Sequence, residues 1–221
     1  MLQRWHRGLH GYVIAVSLVL NFISIALLIL TIYRLLRIGG YAREKKVYIL
    51  SLSLAILSLA LGIETIVLGF GAYGYFTGSY HSARFHWIIS ALFYSPHIVL
   101  YPMSYLLLTV AYFIDFKPEN SRYSLGSLAL FLAGKDMPLL WTICEIISAT
   151  ALALLLVMAV KRKAFTYIDM AFLLLLISHL MLVVPSPILY IYSAFVRSVA
   201  FITLMCGIWF VKAGGNAEKE I

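Results

Sequence analysis

The sequence carries little charge for its length. Of its 221 residues, 12% are charged and 63% are hydrophobic, whereas soluble globular domains have about 25% and about 45–50% respectively. This composition argues against the alternative, a soluble protein with one large core. Apolar runs close to 20 residues, the length that crosses a bilayer, recur along the chain. The composition therefore predicts an all-α, polytopic membrane protein embedded in lipid.

Several chemical signatures are also missing. The two cysteines, Cys144 and Cys206, lie within apolar runs, so no disulfide framework is predicted and both thiols are interpreted as packing residues. The chain has no His-Glu-x-x-His motif and no Glu-Glu pair, which argues against an intramembrane metallohydrolase. The net charge of +8 comes from Lys and Arg clusters beside the apolar runs, and such clusters indicate topology rather than nucleic-acid binding.

Seven apolar segments are predicted to form a single transmembrane domain over residues 1–221. They cover residues 12–33, 47–70, 85–115, 123–134, 138–160, 165–184 and 188–211. The fourth segment is short, because at about 1.5 Å per residue it reaches roughly 18 Å, against about 30 Å for the hydrocarbon core. It is interpreted as a short span. The alternative is a re-entrant or interfacial segment, which would leave six spans.

The distribution of Lys and Arg favours seven spans. If the fourth segment crosses and the amino terminus is outside, twelve of these residues lie on the cytoplasmic side and four on the other. Without that crossing, eight lie on each side. Because cytoplasmic loops carry the excess of positive charge, we expect a cytoplasmic carboxyl terminus and a location in the cell membrane.

The order of apolar runs and basic turns in residues 12–115 recurs in residues 138–211. An internal duplication would produce this similarity, and so would the alternation that multi-span proteins share. Both interpretations stay open at the level of sequence.

The third segment has polar residues along one side, recurring mostly at steps of three and four. They are His86, Ser90, Tyr94, His97, Tyr101, Ser104, Tyr105 and Tyr112. The other side is apolar, with Ile88, Leu92, Val99, Met103, Leu106 and Val110. Pro96 and Pro102 bracket His97, and each proline removes a backbone donor and can bend the helix. In a bilayer such a stripe is predicted to face protein or a cavity.

Polar residues of several segments converge at one depth in the seven-span arrangement. An ionisable side chain costs at least about 2.5–3.5 kcal/mol at the centre of a bilayer, so each needs a partner. This polar layer comprises His97, Glu145, Arg197, His179, Glu64 and Asn21, together with Tyr94 and Tyr101 of the stripe. We predict that Arg197 pairs with Glu145 or Glu64. We also predict that His97 lies near Arg197, Glu145 or His179.

The polar layer is interpreted as a site that binds or translocates a small solute or ion. Its alternatives are an ion pair that only holds helices together, and a non-catalytic subunit or scaffold of a larger membrane complex. Two sharper hypotheses rest on the histidines. His97 and His179 could ligate a b-type haem in an electron carrier, or join Glu64 and Glu145 in a metal centre. No catalytic residue and no nucleic-acid partner is predicted.

Overall fold

The computed structural model describes residues 2–42, 45–77, 96–113, 137–161, 166–184 and 186–214, nearly all of them helical. The six α-helices are α1 (Leu2–Ala42), α2 (Lys45–Thr77), α3 (Tyr101–Phe113), α4 (Met137–Lys161), α5 (Tyr167–Leu182) and α6 (Pro187–Gly214). The short segment predicted at 123–134 lies outside the described residues, as does the first part of the third segment. No strand occurs in the described ranges.

Four of these helices contain stretches long and apolar enough to cross a membrane. The stretches are Ile14–Arg37, Lys45–Phe70, Leu140–Lys161 and Ile188–Trp209. The shortest has 22 residues, which at about 1.5 Å per residue covers roughly 33 Å and matches a hydrocarbon core of about 30 Å. Two shorter apolar helices, Ile98–Ala111 and Tyr167–Leu182, accompany them. The chain is therefore an all-helical, multi-pass integral membrane protein.

A π-helical turn at Pro96–Leu100 leads directly into α3. Pro102 has no backbone N–H, so it cannot donate to a carbonyl in the preceding turn, and a wider turn is a common response to such a loss. The irregularity predicted around the two prolines is thus present. The stripe predicted on this segment is also confirmed in its described part, because Tyr101, Ser104 and Tyr105 are buried whereas Met103 is exposed.

The helix α5 begins at a capping box. The Thr166 side chain accepts a hydrogen bond from the Asp169 backbone N–H. The Asp169 carboxylate in turn accepts from the Thr166 backbone N–H at 2.8 Å and from its hydroxyl at 2.7 Å. Such a box satisfies donors that the first turn of a helix leaves open. Asp169 therefore has a local structural role at the end of the bundle, apart from the polar layer.

The six helices form a closed ring. Each one packs against the next along the chain, and α6 packs against α1. The ring encloses one hydrophobic core to which every helix contributes a fully buried side chain: Leu28, Leu57, Leu108, Leu152, Phe172 and Phe201. Side chains that point into this core from different helices can therefore meet at its centre.

Contacts between helices fix their directions. The helices α1 and α6 run parallel, because Ser24 bonds Ser198 at 2.9 Å and, further along both, the Arg34 guanidinium lies over the Trp209 ring. The helix α5 is antiparallel to α6, since Ser178 bonds Ser193 near one end and Gly207 meets Tyr167 and Ile168 near the other.

The remaining helices follow the same alternation with one exception. Early in α4, the Trp141 indole donates to the carbonyl of Leu182 at the end of α5, at 3.1 Å, so these helices are antiparallel. The helices α2 and α3 are antiparallel too, because Ser53 bonds Ser104 at 3.3 Å while Glu64, later in α2, bonds Tyr101, earlier in α3. The helices α1 and α2 are antiparallel as well, because two residues separate Ala42 from Lys45 and Asn21, earlier in α1, bonds Glu64, later in α2. The helices α1, α3, α4 and α6 consequently share one direction, and the consecutive helices α3 and α4 are parallel.

Gly207 marks a close approach between α5 and α6. A Cβ atom built there would lie 3.0 Å from the Cβ of Tyr167 and 3.3 Å from the backbone nitrogen of Ile168. A Cβ at this position would require its neighbours in α5, including the backbone of Ile168, to shift by a few tenths of an ångström, so glycine suits this contact.

Candidate functional site

The described residues of the polar layer predicted from sequence lie together, buried inside the ring of helices. Asn21, Glu64, Tyr101, Glu145 and Arg197 are each at most 1% exposed. His179 is fully buried beside them. Each of the six helices supplies one of these side chains. Tyr94 and the side chain of His97 lie outside the described residues, so the predicted proximity of His97 stays a prediction.

The depth of these residues is similar along the bundle. Asn21 and Arg197 lie seven and nine residues after the starts of the apolar stretches Ile14–Arg37 and Ile188–Trp209. Glu64 lies six residues before the end of Lys45–Phe70, which runs the opposite way. At about 1.5 Å per residue these offsets are roughly 9–14 Å. The polar side chains therefore lie in the half of the bundle nearest the starts of the apolar stretches of α1 and α6.

Arg197 and Glu64 form a two-point ion pair. The Nη2 and Nη1 atoms of Arg197 donate to Oε1 and Oε2 of Glu64 at 3.1 and 3.3 Å. Two parallel N–H···O bonds suit the planar guanidinium and carboxylate and fix their orientation. Of the two partners predicted for Arg197, the structure selects Glu64, and Glu145 instead pairs elsewhere.

Three further side chains surround this ion pair. The Tyr101 hydroxyl donates to Oε2 of Glu64 at 2.6 Å and accepts from Nη1 of Arg197 at 2.7 Å. The Tyr190 hydroxyl and the Asn21 amide both donate to Oε1 of Glu64, the amide at 3.4 Å. The members of this arginine cluster are Asn21, Glu64, Tyr101, Tyr190 and Arg197.

A second group, the histidine cluster, consists of Tyr105, Glu145 and His179. The Nδ1 atom of His179 lies 2.5 Å from Oε2 of Glu145. Its Nε2 atom lies 2.8 Å from the Tyr105 hydroxyl. Both ring nitrogens of His179 are thus engaged, and which of them carries the proton is a matter of tautomer and charge.

Aromatic rings join the two clusters. The rings of Tyr101 and Tyr105, one helical turn apart on α3, are stacked with centroids 6.4 Å apart. The His179 ring meets both edge-on, with centroids at 5.7 and 4.8 Å. The Arg197 guanidinium carbon lies 5.5 Å from the centroid of Tyr101 on the other side of the network. Side chains from all six helices therefore form one continuous polar and aromatic network.

The physical demands on this network are strict. Removing two charges from water costs several kcal/mol per ion, which only good geometry and additional hydrogen bonds offset. Glu64 has such bonds from Tyr101, Tyr190 and Asn21 in addition to those from Arg197. Within the described residues, Arg197 donates three hydrogen bonds, two to Glu64 and one to Tyr101, and its Nε atom is buried without a hydrogen-bond partner.

The haem and metal hypotheses receive no support from this geometry. In the described part of the chain, no group of three His, Cys, Asp or Glu side chains is arranged to hold a metal ion. Glu64 and Glu145 belong to different clusters. To ligate an iron atom, His179 would have to give up its bond to Glu145 or to Tyr105.

Sequence reasoning missed two members of the network as site residues. Tyr190 lies seven residues before Arg197 and Tyr105 lies four after Tyr101, and both spacings place side chains on the same face of a helix. The signal was therefore present, but a lone tyrosine in an apolar span is common enough that helical spacing alone did not single it out.

Comparison of the chain with protein-family models, with curated proteins and with solved structures finds no match. The function must consequently be argued from the site itself.

Proposed function

We propose that this membrane protein binds or translocates a small solute or ion at the buried network. In this proposal the chain crosses the bilayer seven times, with the amino terminus outside and the network in the outer half of the membrane. The six-helix core, its polar centre and its charge distribution each support a part of the proposal.

The parallel direction of α3 and α4 supports the seventh span. Phe113, the last described residue of α3, and Met137, the first of α4, belong to parallel helices and so lie at opposite ends of the bundle; the proposed seventh span is the stretch of chain between them, residues 114–136. As a helix, a segment of that length covers roughly 35 Å at about 1.5 Å per residue, enough for one crossing. Seven crossings also give the larger excess of Lys and Arg on the cytoplasmic side.

The observation that carries the functional proposal is the convergence of all six helices on one network. A membrane bundle can be held together by van der Waals packing and isolated hydrogen bonds between helices. This bundle has such contacts as well, at Ser24–Ser198 and Ser178–Ser193. Two carboxylates, a guanidinium and an imidazole exceed what cohesion requires, and ionisable groups inside membranes typically mark ion or substrate pathways.

The network is sealed in this conformation, since its side chains are at most 9% exposed. Entry of a solute or ion from either side therefore requires helices to move apart. The contacts that such movement would break are those between Glu64 on α2 and Arg197 on α6. We interpret this ion pair as the contact that keeps the site closed.

The test is to neutralise the ion pair without leaving a lone charge. Purified wild type and the double variant E64Q/R197M would be reconstituted in liposomes, and fluxes of H⁺, Na⁺ and Cl⁻ would be measured under an imposed potential. The same samples would be screened for thermal stabilisation by acetate and glycine. S24A, which changes a polar contact outside the network, serves as the matched control.

We expect the double variant to stay folded and to lose the flux or the stabilisation that wild type and S24A retain. If the double variant behaves as wild type in every assay, or if wild type responds to none of these probes, the ion pair is a structural element and the proposed function is wrong.

A further inference from the structure

We propose that the protein binds one anionic phospholipid where the apolar stretches of α1 and α6 end, with the lipid phosphate on Arg34 and Arg37 and an acyl chain between the two helices. This inference goes beyond the proposed function, because the site lies on the lipid-facing surface of the ring and is separate from the buried network. In the proposed orientation the lipid belongs to the cytoplasmic leaflet.

The depth of Arg34 suits a lipid phosphate. Arg34 lies three residues before the end of the apolar stretch Ile14–Arg37, and Trp209 is the last residue of Ile188–Trp209. Since α1 and α6 are parallel, both side chains lie at the same end of the bundle, at the level of the headgroups of a bilayer. Tryptophan is enriched at this level, and a guanidinium can bind a phosphate through two parallel N–H···O bonds.

The guanidinium of Arg34 is held in place without being neutralised. Its central carbon lies 4.8 Å from the centroid of the Trp209 ring. Within the described residues, its Nε atom is buried without a hydrogen-bond partner, and no carboxylate forms an ion pair with it. Contact with an aromatic face orients the planar group and leaves N–H donors at its edge open. This guanidinium is therefore complementary to an anion that comes from outside the described chain.

Arg37 adds a second positive charge on the same side of α1. It lies three residues after Arg34, and its side chain is exposed. Residues three apart are neighbours on a helix surface, so both guanidinium groups can reach one phosphate. Two cations favour a headgroup with a net negative charge over a zwitterionic headgroup, whose own cation they would repel.

An apolar groove between α1 and α6 leads away from the two arginines. On α1 it is lined by Ile23 and Leu30, eleven and four residues before Arg34. On α6 it is lined by Phe195 and Ile202, which precede the tryptophan at intervals of seven residues. These four side chains are 44–56% exposed, and their spacing places them on the helix sides that carry the arginine and the tryptophan. From Ile23 to Arg34 the groove is roughly 16 Å long at about 1.5 Å per residue, half of a hydrocarbon core of about 30 Å and thus the depth of one leaflet.

The experiment is native mass spectrometry of the full chain in detergent, which measures the affinity for the first lipid molecule bound. The anionic probe is phosphatidylglycerol and the zwitterionic probe is phosphatidylcholine. Wild type, R34Q and R37Q would be compared with K161Q as the matched control. Lys161 is exposed at the end of α4, which runs in the direction of α1 but lies across the ring from it. K161Q therefore removes the same charge at the same end of the bundle.

We expect wild type and K161Q to bind phosphatidylglycerol more tightly than phosphatidylcholine. R34Q and R37Q should each bind phosphatidylglycerol about fivefold more weakly, which corresponds to the roughly 1 kcal/mol that one basic residue contributes near an anionic surface. If R34Q does not fold, R37Q decides, because it changes an exposed side chain. Glycerol 3-phosphate, which has the phosphate but no acyl chain, should not displace the lipid.

Several outcomes overturn the lipid site. Equal affinity of wild type for both lipids, unchanged affinity in R37Q, or an equal loss in K161Q would mean that no lipid is bound at these arginines. Displacement by glycerol 3-phosphate would assign them to a soluble phosphate. A dimer that binds no phosphatidylglycerol would make the groove an interface between two copies of the chain. The flux assay uses other variants, so failure of the lipid site and failure of the proposed function are distinguished.

Discussion

The arginine cluster and the histidine cluster are equally buried but differ in how their charges are satisfied. In the arginine cluster the two charges are permanent partners, and Tyr101, Tyr190 and Asn21 saturate the carboxylate of Glu64. In the histidine cluster a single carboxylate meets an imidazole, whose charge depends on a proton. Burial alone therefore does not distinguish a fixed ion pair from an adjustable one, whereas the chemistry of the partner does.

The largest effect is expected from breaking the permanent pair. R197M leaves Glu64 as a buried anion without its cation, and such removal of one partner typically costs about 3–5 kcal/mol of the free energy of unfolding. In E64Q/R197M no lone charge is left, so most of the loss should be recovered. Unfolding in detergent by a denaturant series measures both variants. If the double variant is as unstable as R197M, the pair is not the source of the effect.

A smaller loss is expected from the histidine cluster. E145Q keeps the shape of the side chain and an oxygen that can accept from His179, but it removes the charge from that bond. Hydrogen bonds to charged groups contribute about 1.5–3 kcal/mol, so the weakened bond to His179 should lower the unfolding free energy of E145Q by about that amount in the same unfolding series. A loss equal to that of R197M would mean that the two clusters do not differ as described.

The two stacked tyrosines of α3 allow a matched comparison between the clusters. Y101F removes a hydroxyl that bonds both Glu64 and Arg197, and about 1.5–3 kcal/mol is expected. Y105F removes a hydroxyl that bonds the His179 ring, for which about 0.5–1.5 kcal/mol is expected. Y105F should therefore have the higher free energy of unfolding of the two variants. If Y101F is the more stable one, the proposed difference between the clusters is wrong.

The smallest effect is expected outside the network. Ser24 bonds Ser198 where α1 meets α6, and polar contacts between membrane helices average about 0.6 kcal/mol. S24A should therefore lose about that much, and it sets the baseline against which both clusters are compared. If S24A lowers the free energy of unfolding as much as E145Q does, the neutral Ser24–Ser198 contact and the charged clusters contribute equally to stability.

Much of the site was predictable from residue type and spacing. An ionisable residue in an apolar run has few energetically acceptable locations, so Glu64, Glu145, His179 and Arg197 were predicted to share a layer, and all four are buried there. The stripe of α3 was predictable for the same reason, because Tyr101 and Tyr105 recur with the helical period.

The pairing was not predictable, because it depends on which helices are neighbours and which way each side chain points. Arg197 was predicted to pair with either glutamate, and the ring of helices brings it to Glu64. Glu145 on α4 lies beside α5 and so meets His179. Two helices that are distant in sequence, α1 and α6, close the ring through Ser24 and Ser198, a contact that no local pattern encodes.

By itself the sequence determined that this chain is a helical membrane protein with charged groups in its interior, since hydrophobic length and helical period act locally and the bilayer penalises every unpartnered charge. Only the tertiary structure decided how those charges are divided. It gave Arg197 and Glu64 to each other and left Glu145 to an imidazole, because partnership between buried groups is a property of packed helices and of the few ångströms between their side chains.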